Sequence, residues 1–389
     1  MTRTVYTGID IGTYNVKVVI AAPSEQPDTP MHILGTGSAS SRGMRLGYII
    51  DMKEAARSIR EALAKAEKNA NVKVRHARIG LGGVGLDETR STGEVSLTSS
   101  GGIVSERDIE KALKESENRA APRLGNKSII HTIPLEYRID GTRVLGKPHG
   151  LQGTKLSVDT LLVTMLTKHH GDLVNAVESA GVEVEGVMAS PLAASMITLT
   201  KAQRMAGVVL ANIGSETLSI MVFDNDIPIS IKVFPVGSAD ITNTIALALK
   251  ISLNEAETAK RSGTTSNPSP KKMSTVITAR VKDMFSLINA HLKSLGRDRL
   301  LPAGIVMTGG GSSLVTMQDI AKASLQLPAQ ISHTGQIANS SLMDATWAVA
   351  CGLCRWGMAE DASGGDYRFA DILRSTAEWL RQTLRSLLP

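Results

Sequence analysis

Aromatic residues and cysteine are scarce in this sequence. Phe, Trp and Tyr make up 3% of the 389 residues, so the cores must be built from Val, Ile, Leu, Ala and Met. The two cysteines, Cys351 and Cys354, argue against a disulfide scaffold and favour a reducing cytosol. Their spacing is typical of metal and redox sites. No second pair and no His cluster accompanies them, so they cannot complete a tetrahedral zinc site. We therefore interpret both as small core residues.

Long apolar runs and dense basic tracts are also missing. No run approaches the ~20 residues of a membrane-spanning helix, and the N-terminal residues show no export signal. The formal charge is +6, yet Lys and Arg are spread along the chain without interleaved aromatics, so we expect no nucleic-acid partner. A basic surface still allows a mild preference for acidic partners or an anionic membrane. At ~150 residues per domain, the length predicts two or three domains.

A stretch near the N-terminus is echoed in the second half of the chain. Residues 8–20 and 210–222 each contain a β-rich apolar run, a glycine turn and a second β-rich run, which is the pattern of a hairpin. Aligning the two stretches places Asp10 on Asn212. Two similar hairpins half a chain apart predict two related lobes.

The first glycine turn has the residue types of a phosphate site. Glycine lets the backbone approach a ligand closely, and consecutive N–H groups of a turn form an anion-binding concavity. Thr13 adds a hydroxyl, and Lys17 would reach a phosphate from the returning strand. Asp10 would hold a hydrated Mg²⁺, which keeps several waters and takes one or two carboxylates. The candidate binding residues of this turn are Asp10, Gly12, Thr13, Tyr14, Asn15 and Lys17.

A third glycine turn and a charged helix occur later in the chain. Residues 304–314 predict a buried strand that runs into the glycines 309–311 and is followed by a helix, which suits the approach of a nucleoside or phosphate. Residues 254–263 predict a helix on which Glu257 and Lys260 share a face. This pair is either a clamp for the ribose and base of a nucleotide or a surface ion pair.

Three glycine turns in this order, together with the charged helix, resemble the actin, sugar-kinase and heat-shock ATPase superfamily. The resemblance is closer to the FtsA family, covers nearly the whole chain, and is most specific at residues 130–140 and 150–155. It implies ATP or ADP with Mg²⁺ between two lobes, with residues 8–13 and 212–217 as phosphate motifs and 304–312 as the adenosine motif. Beyond the first turn, the implied nucleotide-binding residues are Asn212, Gly214, Ser215, Glu216, Thr217, Gly237, Glu257, Lys260, Gly309, Gly310, Gly311 and Ser312.

The family resemblance also implies the fold. We expect an α/β chain with two actin-like lobes, built from duplicated β-sheet and helix units, and a small α+β subdomain inserted in the first lobe that takes part in self-assembly. The implied divisions are residues 1–84 with 163–190 (base of the first lobe), 85–162 (insert), 191–235 with 301–358 (base of the second lobe), 236–300 (its small subdomain), 359–368 (linker) and 369–389 (C-terminal helix).

The sequence departs from the family pattern at the second turn. Asn212 stands where the family usually has Asp, and Ser215 and Glu216 replace a Gly-Gly pair. Asn offers no anionic oxygen to a Mg²⁺ water and cannot act as a base, so we expect slow or absent hydrolysis. Glu216 adds a negative charge near the polyphosphate unless it points away or supports the metal. Residues 262–272 predict a turn-rich linker, which shortens a region that in the family contributes to docking the tubulin homologue FtsZ.

The C-terminal stretch 369–388 has an apolar face with an arginine flank. At about 100° per residue, Arg374, Arg381 and Arg385 fall together beside this face, which is typical of a helix lying in a membrane interface. The alternative is a helix docked on the protein's own core. The apolar residues predicted to enter the membrane are Phe369, Ile372, Leu373, Trp379, Leu380, Leu384, Leu387 and Leu388.

Together, these features and the resemblance predict an ATP-binding, polymerising cell division protein that tethers an FtsZ-like filament to the inner face of the cytoplasmic membrane. Its expected partners are copies of itself, the C-terminal tail of the FtsZ-like tubulin homologue, the lipid surface and other division proteins. Its expected location is cytoplasmic and peripheral at the division site. Two alternatives remain open: an adaptor of a pilus or secretion machine resembling PilM, and a sugar-kinase-like ATPase, against which Asn212 counts.

Overall fold

The computed structural model of the chain describes residues 4–24, 31–98, 101–262, 270–332 and 344–361. The predicted C-terminal helix 369–389 and most of the predicted linker 359–368 lie outside these residues. Within the described ranges, no helix is both long and apolar enough to cross a membrane.

The first lobe opens with the predicted hairpin. Its elements are β1 (Tyr6–Ile11), β2 (Asn15–Ala22), β3 (His32–Ser40), β4 (Met44–Arg45), β5 (Tyr48–Ile49), α1 (Met52–Ala70) and β6 (His76–Leu81). β1 and β2 pair antiparallel with Asp10 opposite Lys17, and β6 pairs with β1 in parallel. α1 begins after Asp51, whose side chain accepts hydrogen bonds from the N–H groups of Lys53 and Glu54. These bonds satisfy N–H groups that the first helical turn leaves without a partner.

A small α+β subdomain follows. Its elements are β7 (Leu86–Ser96), α2 (Glu106–Leu124), β8 (Lys127–Ile139), β9 (Thr142–Val144) and β10 (Lys155–Leu166). The sheet has the order β7-β10-β8-β9, and its apolar face packs on α2. A capping box is present at the start of α2, where Ser105 and Asp108 exchange side-chain to backbone hydrogen bonds.

The second lobe repeats the strand order of the first. The remaining elements are α3 (Thr167–Ser179), β11 (Glu183–Ala189), α4 (Ser190–Thr198), α5 (Lys201–Ala206), β12 (Val208–Ile213), β13 (Leu218–Asp224), β14 (Ile227–Phe234), α6 (Ser238–Leu249), α7 (Leu253–Ser262), α8 (Pro270–Ser294), β15 (Ile305–Thr308), α9 (Met317–Leu325), β16 (Ala329–Ile331) and α10 (Ala348–Asp361). The sheets have the orders β11-β6-β1-β2-β3 and β16-β15-β12-β13-β14. In both, an antiparallel hairpin is flanked by a parallel strand beside its first member, so the predicted duplication is confirmed.

α10 packs on the sheet of the first lobe, whereas the sequence predicted residues 346–358 in the second lobe. Gly8 on β1 makes this contact possible, because a Cβ there would lie 2.2 Å from the carbonyl oxygen of Ala350. Cys354 Sγ lies 3.4 Å from the carbonyl oxygen of Tyr6. Both cysteines are buried and unpaired, as predicted, and burial raises the pKa of Cys354 to about 12.

Two boundaries in the second lobe also differ from prediction. α8 already begins at Pro270, within the predicted linker 262–272, because proline is compatible with the first turn of a helix. After the third glycine turn, a 3-10 turn (Gly310–Ser313) precedes α9, so the helix does not follow the glycines directly. The described part of residues 236–300 is built from α6, α7 and α8.

Candidate functional site

The first two glycine turns have the same geometry. The Gly12 N–H donates to the carbonyl of Asn15 at 3.2 Å, and the Gly214 N–H donates to the carbonyl of Thr217 at 2.8 Å. A Cβ on Gly12 would lie 2.9 Å from the Asn15 oxygen, and one on Gly214 would lie 3.0 Å from the Thr217 oxygen. Both turns therefore need glycine to close tightly.

The third glycine turn packs directly on the end of β12. A Cβ on Gly309 would lie 2.3 Å from Asn212 Oδ1, and one on Gly311 would lie 2.4 Å from the side chain of the next residue of β12. Packing therefore requires glycine at both positions. Gly310 is exposed, and the nearest atom to a Cβ there would be Thr346 Cγ2 at 3.8 Å. The fold does not require glycine at this middle position.

Lys17 connects the first turn to the third. Its ammonium donates to the carbonyl of Thr346 at 2.8 Å and lies 5.3 Å from the centroid of the Trp347 ring. Burial lowers the pKa of Lys17, and the carboxylates of Asp10 and Asp344 oppose this shift. The Lys17 ammonium thus lies between the hairpin of the first lobe and the segment of Thr346 and Trp347, which is beside the third turn.

Asp10 ends β1 with a poorly solvated carboxylate. Burial raises its pKa to about 6, and Lys17 acts in the opposite direction. Across the residues that the structure describes, no group of three His, Cys, Asp or Glu side chains is arranged to hold a metal. Mg²⁺ needs only one or two carboxylates when phosphates and waters complete its shell. Asp10 therefore fits a hydrated Mg²⁺, because a nearby cation would compensate a carboxylate that burial has deprived of solvent.

Two side-chain contacts join the second lobe to the first across the cleft. The Glu216 carboxylate accepts a hydrogen bond from the backbone N–H of Leu46, between β4 and β5. The Arg261 guanidinium on α7 donates to the Tyr14 hydroxyl at 3.2 Å and lies 5.7 Å from the Tyr14 ring centroid. The second glycine turn therefore contacts the β4–β5 turn of the first lobe, and α7 of the second lobe contacts the first glycine turn.

The start of α6 packs on the second turn. A Cβ on Gly237 would lie 2.2 Å from the carbonyl oxygen of Ser215. The N–H groups of Ser238 and Ala239 donate to the carbonyls of Gly214 and Ser215 at 2.9 and 2.8 Å. These two hydrogen bonds hold the second turn in place. They need the close approach that Gly237 allows, so this predicted residue supports the turn by close packing.

Glu257 and Lys260 are more buried than a surface ion pair. Lys260, whose side chain is 7% exposed, lies 2.7 Å from the Glu257 carboxylate and donates to the Thr242 hydroxyl and the Ser238 carbonyl. Burial acts to raise the pKa of Glu257, but hydrogen bonds from Lys260, Thr242 and Arg261 lower it to about 2. The pair holds α7 against α6, and its contact with a ribose or base stays a prediction.

Several contacts at the site involve residues that the sequence did not single out. Leu46 and Thr346 contribute main-chain groups, which no residue type reveals. Arg261 lies four residues after Glu257, so helical spacing would have indicated that pair. The predicted residue Ser312 is buried, and its hydroxyl donates to the carbonyl at the start of the third turn.

Comparison with known families assigns the chain. The profile described as "Cell division protein FtsA" matches residues 209–352, and the profile described as "SHS2 domain inserted in FTSA" matches residues 83–164. Together they cover more than half of the chain. The chain belongs to the FtsA family. The second profile coincides with the small α+β subdomain of β7 to β10.

Individual relatives agree with this assignment. Cell division protein FtsA of Bacillus subtilis is 29% identical over 343 residues, which cover 82% of this chain and 77% of the relative. The Escherichia coli protein of that name is 24% identical and covers 98% of this chain and 96% of the relative. The protein is therefore an actin-like cell division protein of the FtsA type.

Solved structures confirm the two-lobed fold. A chain of the PilM–PilN type IV pilus biogenesis complex gives a TM-score of 0.68 at 17% identity and covers 90% of this chain and 98% of its own. MreB5 of Spiroplasma citri bound to ADP gives 0.53 at 12% identity and covers 94% and 99%. At these identities the similarity shows the fold alone.

The raised pKa of Asp10 predicts a pH effect on stability. An Asp in the unfolded chain has a pKa of ~3.9, whereas the folded value is about 6. Between these values the folded state holds a proton that the unfolded chain has lost, so stability falls as the pH rises. Asp10→Asn removes this loss. The difference in free energy of unfolding between Asp10→Asn and the parent should therefore grow by ~2 kcal/mol, in favour of the variant, as the pH rises from about 4.5 to about 7.

Denaturant titrations without nucleotide measure this difference, and Asp140→Asn is the matched control. Hydrogen bonds from Thr154 and Lys155 lower the pKa of Asp140, so its Asn variant should gain no stability over the same range. A difference between Asp10→Asn and the parent that does not change with pH would contradict the argument.

Proposed function

We propose that this protein is an ATP- or ADP-binding scaffold of cell division. It assembles with copies of itself and tethers an FtsZ-like tubulin filament to the inner face of the cytoplasmic membrane. The observation that carries the nucleotide site is the junction at Thr346, where the Lys17 ammonium bonds to the carbonyl and the exposed Gly310 lies beside the side chain. Family membership supports the role in division.

The nucleotide would lie between the lobes, with its phosphates between the turns 12–15 and 214–217. Lys17 would exchange the Thr346 carbonyl for a phosphate oxygen, and Asp10 would hold Mg²⁺ through water. When bound, Mg²⁺ would neutralise phosphate charge. The carboxamide of Asn212 lies against Gly309, and it offers neither an anionic oxygen nor a base. We therefore expect slow or absent hydrolysis, with the nucleotide setting the lobe arrangement and thereby assembly.

The proposed membrane and filament contacts lie on other parts of the chain. Residues 369–389 would form the membrane anchor, joined by the linker 359–368. The FtsZ-like tail would dock on the small subdomain of α6, α7 and α8, where Leu247 and Leu253 are exposed. The fold alone also fits a pilus adaptor, because the PilM–PilN chain shares it. The FtsA profiles and relatives favour the division scaffold.

Neutralising Lys17 tests the phosphate site. Lys17→Met keeps much of the side-chain volume but removes the charge, so ATP affinity in the presence of Mg²⁺ should fall about tenfold or more, as expected for a lost charge-assisted hydrogen bond. Lys65→Met is the control, because Lys65 also donates to a main-chain carbonyl, that of Ser38, but on α1. Isothermal titration calorimetry of both variants with ATP and Mg²⁺ measures these affinities. Parent-like affinity of Lys17→Met would remove the site from this cleft.

Replacing Gly310 tests the approach of the nucleoside. Gly310→Val has room for its first side-chain carbon, so the variant should melt at the temperature of the parent yet lose most of its affinity for ATP. Gly311→Val should instead lower the melting temperature, because the new side chain would overlap that of Ile213. A folded Gly310→Val protein that binds ATP like the parent would refute this placement.

The C-terminal segment is tested with lipid vesicles. Deleting residues 369–389 should abolish co-sedimentation with vesicles that contain anionic lipid. In the full chain, Leu384→Asp should also weaken binding, because it places a charge on the apolar face, whereas Gln382→Asp adds the same charge to the polar side and should bind like the parent. A truncated protein that still pellets with vesicles would show that the anchor lies elsewhere.

A further inference from the structure

The turn between β4 and β5 lies between the cleft and the inserted subdomain. The N–H of Leu46 donates to the Glu216 carboxylate of the second lobe, and its carbonyl accepts from the N–H of Val84 at 3.2 Å. Leu46 and Gly47 both have left-handed backbone conformations, with φ of 51° and 86°. Leu46 therefore contacts both the second glycine turn and the segment that leads into the inserted subdomain.

The same hairpin contacts both chain connections of the insert. On the entering side, a Cβ on Gly47 would lie 2.3 Å from the Cα of Gly83, so the two backbones are in direct contact. On the leaving side, the Tyr48 ring centroid lies 4.4 Å from that of His169 at the start of α3. His169 Nε2 lies 3.3 Å from the carbonyl oxygen of Gly82. The hairpin and the two connections therefore form one packed unit at the root of the insert.

The insert also contacts the second lobe directly, along the edge strand β14. Glu88 on β7 accepts hydrogen bonds from the Ser230 hydroxyl at 2.9 Å and the Ile231 N–H at 2.6 Å, and Arg90 donates to the Ile229 carbonyl at 3.0 Å. The insert thus meets the second lobe through several hydrogen bonds, whereas in the described part of the chain the hairpin meets the second lobe through the hydrogen bond from the Leu46 N–H to Glu216. A local change at the second turn would therefore separate the hairpin from the second lobe before it disturbed the contacts along β14.

We propose that Glu216 is a latch through which a polyphosphate in the cleft controls the root of the insert. The ligand half of this inference rests on the proposed nucleotide site. Glu216 belongs to the turn 214–217 that would border the phosphates, and like charges at short range repel. Bound phosphate therefore weakens the contact between Glu216 and Leu46 and detaches the hairpin from the second lobe. By linkage, the closed latch opposes polyphosphate binding to the same extent.

Two substitutions separate the charge of Glu216 from its hydrogen bond. Glu216→Gln removes the charge but keeps an oxygen that accepts from the Leu46 N–H, whereas Glu216→Ala removes both. Glu54→Gln, which removes a carboxylate from α1, is the control. Hydrogen–deuterium exchange of the full-length proteins, without nucleotide and with saturating ADP and Mg²⁺, is followed at the Leu46 and Val84 amides. Isothermal titration measures ADP binding in parallel.

Without nucleotide, Glu216→Ala should exchange about tenfold faster than the parent at both amides, as expected for a lost charge-assisted bond. The Gln variant, which keeps a weaker neutral hydrogen bond, should exchange at a rate between those of the parent and the Ala variant, and the control should match the parent. With ADP, exchange in the parent should rise toward that of the Ala variant, while Glu216→Gln should not respond.

Each contrary result has a distinct meaning. A Glu216→Ala protein that exchanges like the parent would show that other contacts hold the hairpin, and the latch would be wrong. A Glu216→Gln protein that responds to ADP like the parent would show that charge repulsion is not the signal. If ADP does not bind to the parent, the nucleotide site and ligand control of the latch both fail, and the nucleotide-free comparison still decides whether Glu216 holds the insert.

Discussion

The candidate site depends on two half-buried charged residues on one hairpin. Asp10 and Lys17 face each other across β1 and β2, and both are poorly solvated, so burial raises the pKa of Asp10 and lowers that of Lys17. Each charge offsets part of the desolvation cost of the other, but their interaction does not replace all of the solvation that each group would have in water. A phosphate beside the ammonium and a hydrated cation beside the carboxylate would compensate both. Perturbed titratable groups in a cleft are typical of functional sites.

The duplicated lobe keeps the geometry of this hairpin without its charges. Asn212 pairs with Ser219 at the positions that correspond to Asp10 and Lys17. In the second hairpin the charged residue lies in the turn instead, where Glu216 accepts a hydrogen bond from the backbone of the first lobe. The first hairpin therefore carries the charges proposed to meet a ligand, and the second carries the carboxylate that contacts the other lobe. This difference agrees with the proposed role, in which nucleotide binding rather than hydrolysis would control assembly.

Much of this arrangement follows from local sequence patterns. Both hairpins, the helix after Asp51 and the capping box at Ser105 depend on residue types close together in the chain, and such patterns are readable. The position of α10 was predicted wrongly, because its partner surface is set by Gly8, some 340 residues away. The contacts of Lys17 and Glu216 were also not foreseen, because their partners are main-chain groups.

The strengths of these contacts differ between the base and the rim of the cleft. At the base, α4 joins the apolar cores of the two lobes, and buried residues such as Ile9 and Leu210 belong to one continuous cluster. Gly352 lets α10 contact the backbone of α4 closely. At the rim, Glu216 and Arg261 cross the cleft with hydrogen bonds that a charged ligand would disturb. With an apolar base below these polar contacts, the proposed ligand would shift the balance of lobe arrangements while both cores stay packed.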